Sequence, residues 1–375
     1  MSLFNIFIEL FTDTTLRTIT IGTMVLGAAS GMLGSFAVLR KESLLGDAIS
    51  HAALPGIILA FMFTGSKESY ILLIGALIVG LIGTLWIRGI IHTTQLKTDA
   101  ALGLILSIFF GFGMLLLTYV QKLPDANQAG LDKYLFGQAA TLVSQDVYIL
   151  GGVTMFALLV LFLFWKEFKI MLFDADYAKT LGFNVKFIDI LITFFIVLTI
   201  VLGLQTVGVV LMSALLLAPA AAARQWTNSL SKMVALAAFI GALAGLIGTG
   251  ISASEDNLST GPVIVIVASA LVLFSFIFSP IRGILFQKIR LHQNRNNLEQ
   301  MKTLQLMFNI AIKHKDFTHP HSIGILNNFR GFTKSSLNKM VESEWIQISG
   351  NQWNLTETGF KEAKEMFHSN TENHE

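Results

Sequence analysis

In the stretch 38-VLRKESLLGDAISHAALPGIILAF-61, an acid and a histidine interrupt an apolar run. Asp47 and His51 stand four residues apart, and Pro55 follows after four more. Residues at i and i+4 are neighbours on a helix surface, so a helix here places both side chains together. Ionisable groups inside membrane spans are expensive and by default indicate function.

The remainder of the chain has the composition of a polytopic membrane protein. Of its 375 residues, 53% are hydrophobic and only 13% are charged, with a net charge of +2. Such values are far from those of a soluble enzyme. The sequence contains no cysteine, which excludes disulfides, thiolate metal sites and cysteine redox chemistry.

Nine apolar runs are long enough, at about 17–25 residues each, to cross a bilayer as helices. They lie near residues 17–39, 44–63, 69–91, 100–120, 146–165, 187–204, 206–223, 231–252 and 261–281. Only Gln205, between Leu204 and Thr206, separates the sixth run from the seventh, so a broken or re-entrant span would reduce the count to eight. We predict an all-α polytopic membrane domain over residues 1–285.

The basic residues near the span ends predict the orientation of this domain. If the nine spans alternate, the five most basic connections fall on one side; they hold Arg40, Lys41, Arg88, Lys97, Lys166, Lys169, Lys179, Lys186, Arg224, Lys232, Arg282, Lys288 and Arg290. We expect that side to be cytoplasmic, with the N-terminus outside and the C-terminus inside. Eight spans would break this agreement, which favours nine.

Residues 286–375 form a separate polar segment without a spanning run, and they hold six of the eight histidines. A helical pattern covers about 296–315, and further helices are expected near Pro320, over 333–346 and from 357. Between the last two, 347-QISGNQWNLT-356 alternates around a Gly-Asn turn pair and predicts a hairpin. This is the element order of a small α+β winged-helix domain.

Asp47 and His51 have two interpretations. A carboxylate oxygen beside an imidazole nitrogen suits a divalent first-row metal, and Pro55 lacks the N–H that would pair with the His51 carbonyl. Alternatively, Asp47 caps a helix that starts after Gly46, and His51 is a packed core residue. Two ligands cannot fill a coordination sphere, so the metal interpretation is stronger if a second copy contributes the same pair.

The stretch 38–61 resembles the second-helix signature of the permease family of manganese, zinc and iron ABC importers. Segments 98–117, 132-DKYLFGQ-138, 207-VGVVLMSALLLAPAAAAR-224 and 259–269 are similar to that family in the same order, over about residues 15–285. The resemblance implies a dimer of two copies or of two paralogues, ATP-binding cassette subunits below it and an extracellular metal-binding protein above it. It also implies that Asp47 and His51 are the metal site, and that the chain is in the cytoplasmic membrane of a prokaryote.

The sequence has no G-x-x-x-x-G-K-[ST] phosphate loop, so we expect a partner chain to hydrolyse ATP and this chain not to be an enzyme. The predicted docking segment, 173-FDADYAKTLGFNV-185, is amphipathic, with Phe173, Tyr177, Ala178 and Leu181 on one side. Asp174 and Gly182, the residue that ends the segment as a C-cap, complete the predicted contact residues. Its A-x-x-L-G core resembles the ATPase-contacting segment of vitamin and metallophore importers. Arg224 is a second candidate contact; an ordinary helical connector is the alternative for the segment.

The stretch 342-ESEWIQISGNQWNLTETGFKEA-363 resembles the wing region of winged-helix regulators. From Arg290 to the C-terminus there are ten Lys and Arg against nine Asp and Glu, so the basic footprint of a DNA-binding surface is missing. We expect a docking or regulatory domain rather than DNA binding. The cluster His314, His319 and His321 is a candidate sensor of cytoplasmic metal, with solvated loop histidines as the alternative.

Two alternative functions are an ion-coupled secondary transporter that uses Asp47 and a membrane-anchored metal-responsive regulator. We favour an importer permease that carries Mn²⁺, with Zn²⁺ or Fe²⁺ as other candidate ions, and no permanently bound cofactor. A hard oxygen, one imidazole and no sulfur favour manganese, although affinity order alone does not select the ion. Membrane lipid is the other expected partner.

Overall fold

The computed structural model describes residues 10–42, 44–66, 68–122, 137, 142–254, 258–314, 319–327 and 334–368. Its contacts divide the chain into two compact units, Met1–Gly283 and Ile284–Glu375. The boundary predicted from composition lies two residues further along, after residue 285. Of the sequence stretch 132–138, only Gly137 belongs to the described residues.

The first unit is built from helices. They are α1 (Thr14–Leu39), α2 (Leu45–Thr64), α3 (Ser69–Thr93), α4 (Thr98–Gln121), α5 (Ser144–Leu163), α6 (Trp165–Phe173), α7 (Ala175–Thr180), α8 (Val185–Leu204), α9 (Val209–Trp226), α10 (Leu230–Ser254) and α11 (Thr260–Phe278). Each of the nine predicted apolar runs corresponds to one of the longer helices, which confirms the all-α membrane fold.

Eight of these helices are long and apolar enough to cross a membrane, namely α1 to α5, α8, α10 and α11. The seventh predicted run forms α9, an 18-residue helix of about 27 Å, close to the roughly 30 Å of a hydrocarbon core. Residues 205–208 separate it from α8, and Gly208 has a φ of 91° that favours glycine. The sixth and seventh runs are therefore distinct helices.

Two groups of helices meet at α9. Helix α1 packs against α10, and α2 packs against α3 and α4, while α9 contacts α1, α2, α10 and α11. Pro219 lies inside α9, as Pro55 lies inside α2. This arrangement encloses the N-terminal half of α2, which carries Asp47 and His51.

The two G-x-x-x-G motifs pack against each other. A Cβ atom at Gly27 in α1 would collide with the carbonyl of Gly241 in α10, and one at Gly241 would collide with the carbonyl of Gly27. One turn along, Gly245 meets the backbone of Thr23, whose hydroxyl lies 2.9 Å from that of Thr249. Small residues thus let two backbones touch, as in other membrane helix pairs.

In its described residues, the second unit has a three-stranded antiparallel sheet and four helices. The elements are α12 (Ile284–His314), β1 (His321–Ser322), α13 (Ile323–Asn327), α14 (Lys334–Glu342), β2 (Ile346–Ser349), β3 (Gln352–Leu355) and α15 (Glu357–His368), with strand order β1-β3-β2. Leu304, Met340 and Trp353 are among its buried core residues. The β2-β3 hairpin turns at Gly350, with a φ of 61°, where the sequence predicts it.

Two features of this unit differ from the prediction. Helix α12 begins at Ile284, about twelve residues before the predicted start at 296, because residues 284–295 continue the helical pattern although they are exposed. The short strand β1 was not predicted; its two residues pair with Trp353 and Gln352, and two residues are too few to show an alternating pattern. The winged-helix description of this unit stays a prediction.

Replacing Gly241 by valine should destabilise the membrane unit, because the added atoms would push α10 away from α1. Overpacking of this kind costs about 1–3 kcal/mol or more. The melting temperature of the purified full chain in detergent measures the effect. Gly89→Val is the matched control, since Gly89 is exposed and a Cβ there meets open space; equal melting temperatures for the two variants would contradict the packing argument.

Candidate metal site and predicted ATPase contacts

Helix α2 brings Asp47 and His51 together. The Asp47 Oδ1 and His51 Nε2 atoms are 3.8 Å apart, and the side chains are 36% and 13% exposed respectively. Apart from Asp47 and His51, all residues of α2 from Leu45 to Ile58 are buried. The only gap in the enclosure of this half-helix is therefore the face that carries the acid and the histidine.

The capping interpretation of Asp47 does not hold. Helix α2 starts at Leu45 with Leu44 as N-cap, and no side chain caps it. Asp47 stands instead in the first turn, where a negative charge interacts favourably with the helix dipole. The carboxylate therefore does not serve as the helix N-cap and is available to a ligand.

The ring of His51 is fixed by contact with α4. It packs edge-to-face on Phe110 of α4, with ring centroids 4.6 Å apart. Its Nδ1 atom is buried, and the described residues supply no hydrogen-bond partner for it. Near Pro55, Gly113 lets α4 approach closely, since a Cβ there would lie 3.0 Å from Pro55 and Leu54.

One chain supplies only part of a coordination sphere. Across the described ranges, no group of three or more His, Cys, Asp or Glu side chains could hold a metal ion. The carboxylate and imidazole of α2 provide two donors, one hard and one borderline. A metal held at this pair needs further ligands from water or from another chain.

A partly buried ionic network, which the sequence did not reveal, joins three helices of the membrane unit. Asp189 of α8 forms ion pairs with Arg40, which follows α1, and with Arg88 of α3. Both guanidinium groups also donate to the Thr193 hydroxyl, which donates to the Asp189 carbonyl at 2.8 Å. The available signal was Asp189 itself, a charge just inside an apolar run.

Glu42 extends the network at the start of the chain segment that leads into α2. Its carboxylate lies 3.9 Å from the Arg40 guanidinium. Burial raises the pKa of the Glu42 carboxyl, and the charge of Arg40 partly opposes that shift. The connection between α1 and α2 is thus tied electrostatically to α3 and α8.

Asp189→Asn should destabilise the chain by about 3–5 kcal/mol, because two largely buried arginines would lose their shared counter-ion. Thermal or denaturant unfolding of the detergent-solubilised protein measures this. Asp176→Asn is the control, since its ion pair with Lys179 is exposed and such pairs contribute little. If Asp189→Asn lost no more unfolding free energy than the control, the network would not stabilise the fold.

The predicted docking segment folds into helix α7 between two caps. The Asp174 carboxylate accepts from the N–H groups of Asp176 and Tyr177 at 3.1 and 2.9 Å. At the other end Gly182 has a φ of 85°. Its N–H donates to the Lys179 carbonyl, and the N–H of Phe183 donates to the Ala178 carbonyl. These bonds form a Schellman motif, which left-handed Gly182 completes.

The segment presents some of its predicted contact residues and hides one. Phe173, Tyr177 and Leu181 are exposed, whereas Ala178 is fully buried. The prediction placed Ala178 on the same side as the other apolar residues; it points inward and anchors the segment to the bundle. Arg224 is half-buried in the last turn of α9.

Of the three candidate histidines in the second unit, two lie together. The rings of His319 and His321 are 5.2 Å apart, and His321 also packs on Trp353 at 5.1 Å. His321 is buried, which differs from a solvated loop residue. His314 ends α12, and its side chain lies outside the described part of the chain.

The helical fold defines a membrane permease. The chain belongs to the ABC 3 transport family, whose model matches residues 12–279. The zinc transport system membrane protein TroC of Treponema pallidum is 50% identical over 279 residues, 74% of this chain and 94% of that protein. The chain is thus a transport component rather than the ATP-hydrolysing subunit, as predicted.

A second relative and a solved structure show how much of the chain is similar to known proteins. The manganese transport system membrane protein MntC of Bacillus subtilis is 40% identical over 344 residues, which is 91% of this chain and 79% of that protein. A match of that length necessarily extends beyond the membrane unit. The solved structure of PsaBC from Streptococcus pneumoniae with Fab has 33% identity and a TM-score of 0.66, covering 76% of this chain and 99% of that one.

Proposed function

We propose that the chain is the membrane-spanning permease of an ATP-driven importer that carries a divalent transition metal ion into the cytoplasm. The observation that carries the proposal is the Asp47–His51 pair, 3.8 Å apart on the only uncovered face of the enclosed half of α2. A carboxylate oxygen and a neutral imidazole supply the ligands that such ions accept. The named zinc and manganese relatives support this class of cargo.

A second permease copy or a paralogue covers the open face in this proposal. A partly exposed carboxylate in a span does not face hydrocarbon but protein or water. Beside it, α4 carries the small residues Gly103, Ser107 and Gly111 at four-residue spacing, a pattern that favours close helix contact. Ser107 and Gly111 are exposed and Gly103 is half-buried. Two copies would bring two Asp47 and two His51 side chains to one ion.

Manganese is the favoured cargo, and zinc or iron remain the other candidates. The pair contains a hard oxygen and no sulfur, which suits Mn²⁺ and does not exclude the other ions. Among the named relatives, B. subtilis MntC is a manganese protein and the more similar T. pallidum TroC a zinc protein. Competition between the three ions during uptake is the measurement that identifies the transported ion.

The transport cycle in this proposal needs two partners. An external metal-binding protein delivers the ion, with the N-terminus outside. Separate ATP-binding cassette subunits meet Tyr177 and Leu181 of the docking segment and Arg224 on the cytoplasmic side, so that ATP hydrolysis changes access to Asp47. The second unit, also cytoplasmic, serves docking or regulation, and the adjacent rings of His319 and His321 support a regulatory metal site there.

Asp47→Ala and His51→Ala should each lower the initial rate of labelled Mn²⁺ uptake by at least about tenfold, because each removes a metal ligand. Cells that express the complete transporter provide the assay. Asp99→Ala and His92→Ala are matched controls, since both residues are exposed near helix ends. Normal uptake by the Asp47 and His51 variants, at equal membrane levels, would refute the assignment of the site.

Replacing Tyr177 and Leu181 together by alanine should weaken capture of the ATPase subunits and reduce uptake, because two exposed apolar side chains are lost from the docking surface. Co-purification of the subunits with the tagged permease measures this directly. Tyr148→Ala removes an exposed aromatic residue at the opposite end of α5 and should have no effect. Unchanged co-purification for the double variant would contradict the docking role.

A further inference from the structure

An apolar groove lies between α10 and α11, beside the end of α9. It encloses about 260 Å³ and is lined by apolar side chains that include Trp226, Leu236, Phe239, Leu243, Leu271 and Phe274. The Ser275 hydroxyl in its wall donates to the Leu271 carbonyl at 2.8 Å. That polar group is satisfied by its own helix, so the groove suits a hydrocarbon chain.

One end of this groove is basic. Lys232 is exposed and stands one turn before Leu236, on the same face of α10 that lines the groove. Arg282 follows α11 and donates to the Asn228 amide oxygen at 2.8 Å, two residues beyond Trp226. A guanidinium carries five N–H donors, so this bond positions Arg282 without exhausting it.

The two basic residues and the tryptophan are held at the same end of the bundle. The Ser279 hydroxyl donates to the Gln225 carbonyl, which joins the end of α11 to the end of α9 next to Trp226. Helix α10 begins at Leu230 in this region, and its positive N-terminal end adds to the two cationic side chains. An anion at this end therefore meets complementary charge beside an entrance to apolar space.

We propose that this groove binds one anionic phospholipid, with an acyl chain along Phe239 and Phe274 and the phosphate between Lys232 and Arg282. Basic groups at a membrane surface attract anionic lipid, and tryptophan is favoured where one end of a site is apolar and the other wet. The charge at the mouth distinguishes such a lipid from an uncharged one. The site goes beyond metal transport and is independent of Asp47 and His51.

The test uses the full chain in phosphatidylcholine nanodiscs that contain phospholipid brominated on the acyl chain. Bromine quenches tryptophan fluorescence, so the quenching of Trp226 fluorescence reports occupancy of the groove. The Trp226 signal is the difference between the fluorescence of the wild type and that of Trp226→Phe. We expect brominated phosphatidylglycerol to quench at about tenfold lower mole fraction than brominated phosphatidylcholine, because two basic groups contribute. The double variant Lys232→Gln and Arg282→Gln should lose this preference.

The matched control is the double variant Lys166→Gln and Lys169→Gln, which removes the same charge from exposed sites on α6 and should keep the preference. Equal quenching by the two lipids in the wild type would overturn the proposal without any variant. Loss of the preference in the control would also overturn it, because bulk surface charge would then explain the effect. Neither result depends on which ion the chain transports.

Discussion

A carboxylate inside a bilayer requires polar surroundings, and this requirement constrains how the helices of the membrane unit pack around Asp47. Asp47 is 36% exposed in the isolated chain, and hydrocarbon contact with its charged form is unfavourable. The enclosing helices cover the rest of the first half of α2 and leave only that face open. The open face therefore belongs against water, a metal ion or a second copy, and the account of function follows from that requirement.

Close backbone contacts hold the frame around α2. Gly27 and Gly241 let α1 and α10 touch, and Gly56 and Gly75 do the same for α2 and α3. Because hydrocarbon offers no hydrophobic drive for association, such packing and a few polar links determine which helices meet. The Asp189 network supplies polar links near the ends of α1, α3 and α8, so that Glu42 and the segment leading to α2 are fixed as well.

The sequence predicts the local features well and the long-range ones poorly. Apolar length locates the nine helices, i and i+4 spacing places Asp47 beside His51, and turn chemistry locates the hairpin at Gly350. Which helices face each other depends on packing between distant segments, so the pairing of the two glycine motifs and the Asp189 ion pairs stayed hidden. Ala178 shows the same limit, since the pattern of a short segment does not tell which of its apolar residues the bundle covers.

We propose that His51 binds the transported ion directly. Hyperfine spectroscopy of Mn²⁺ bound to the complete purified transporter, with histidine labelled by ¹⁵N, tests this binding. We expect a nitrogen coupling that disappears in His51→Ala and is retained in His92→Ala. A spectrum without nitrogen coupling, or one that His51→Ala leaves unchanged, would contradict the claim and place the ion at other ligands.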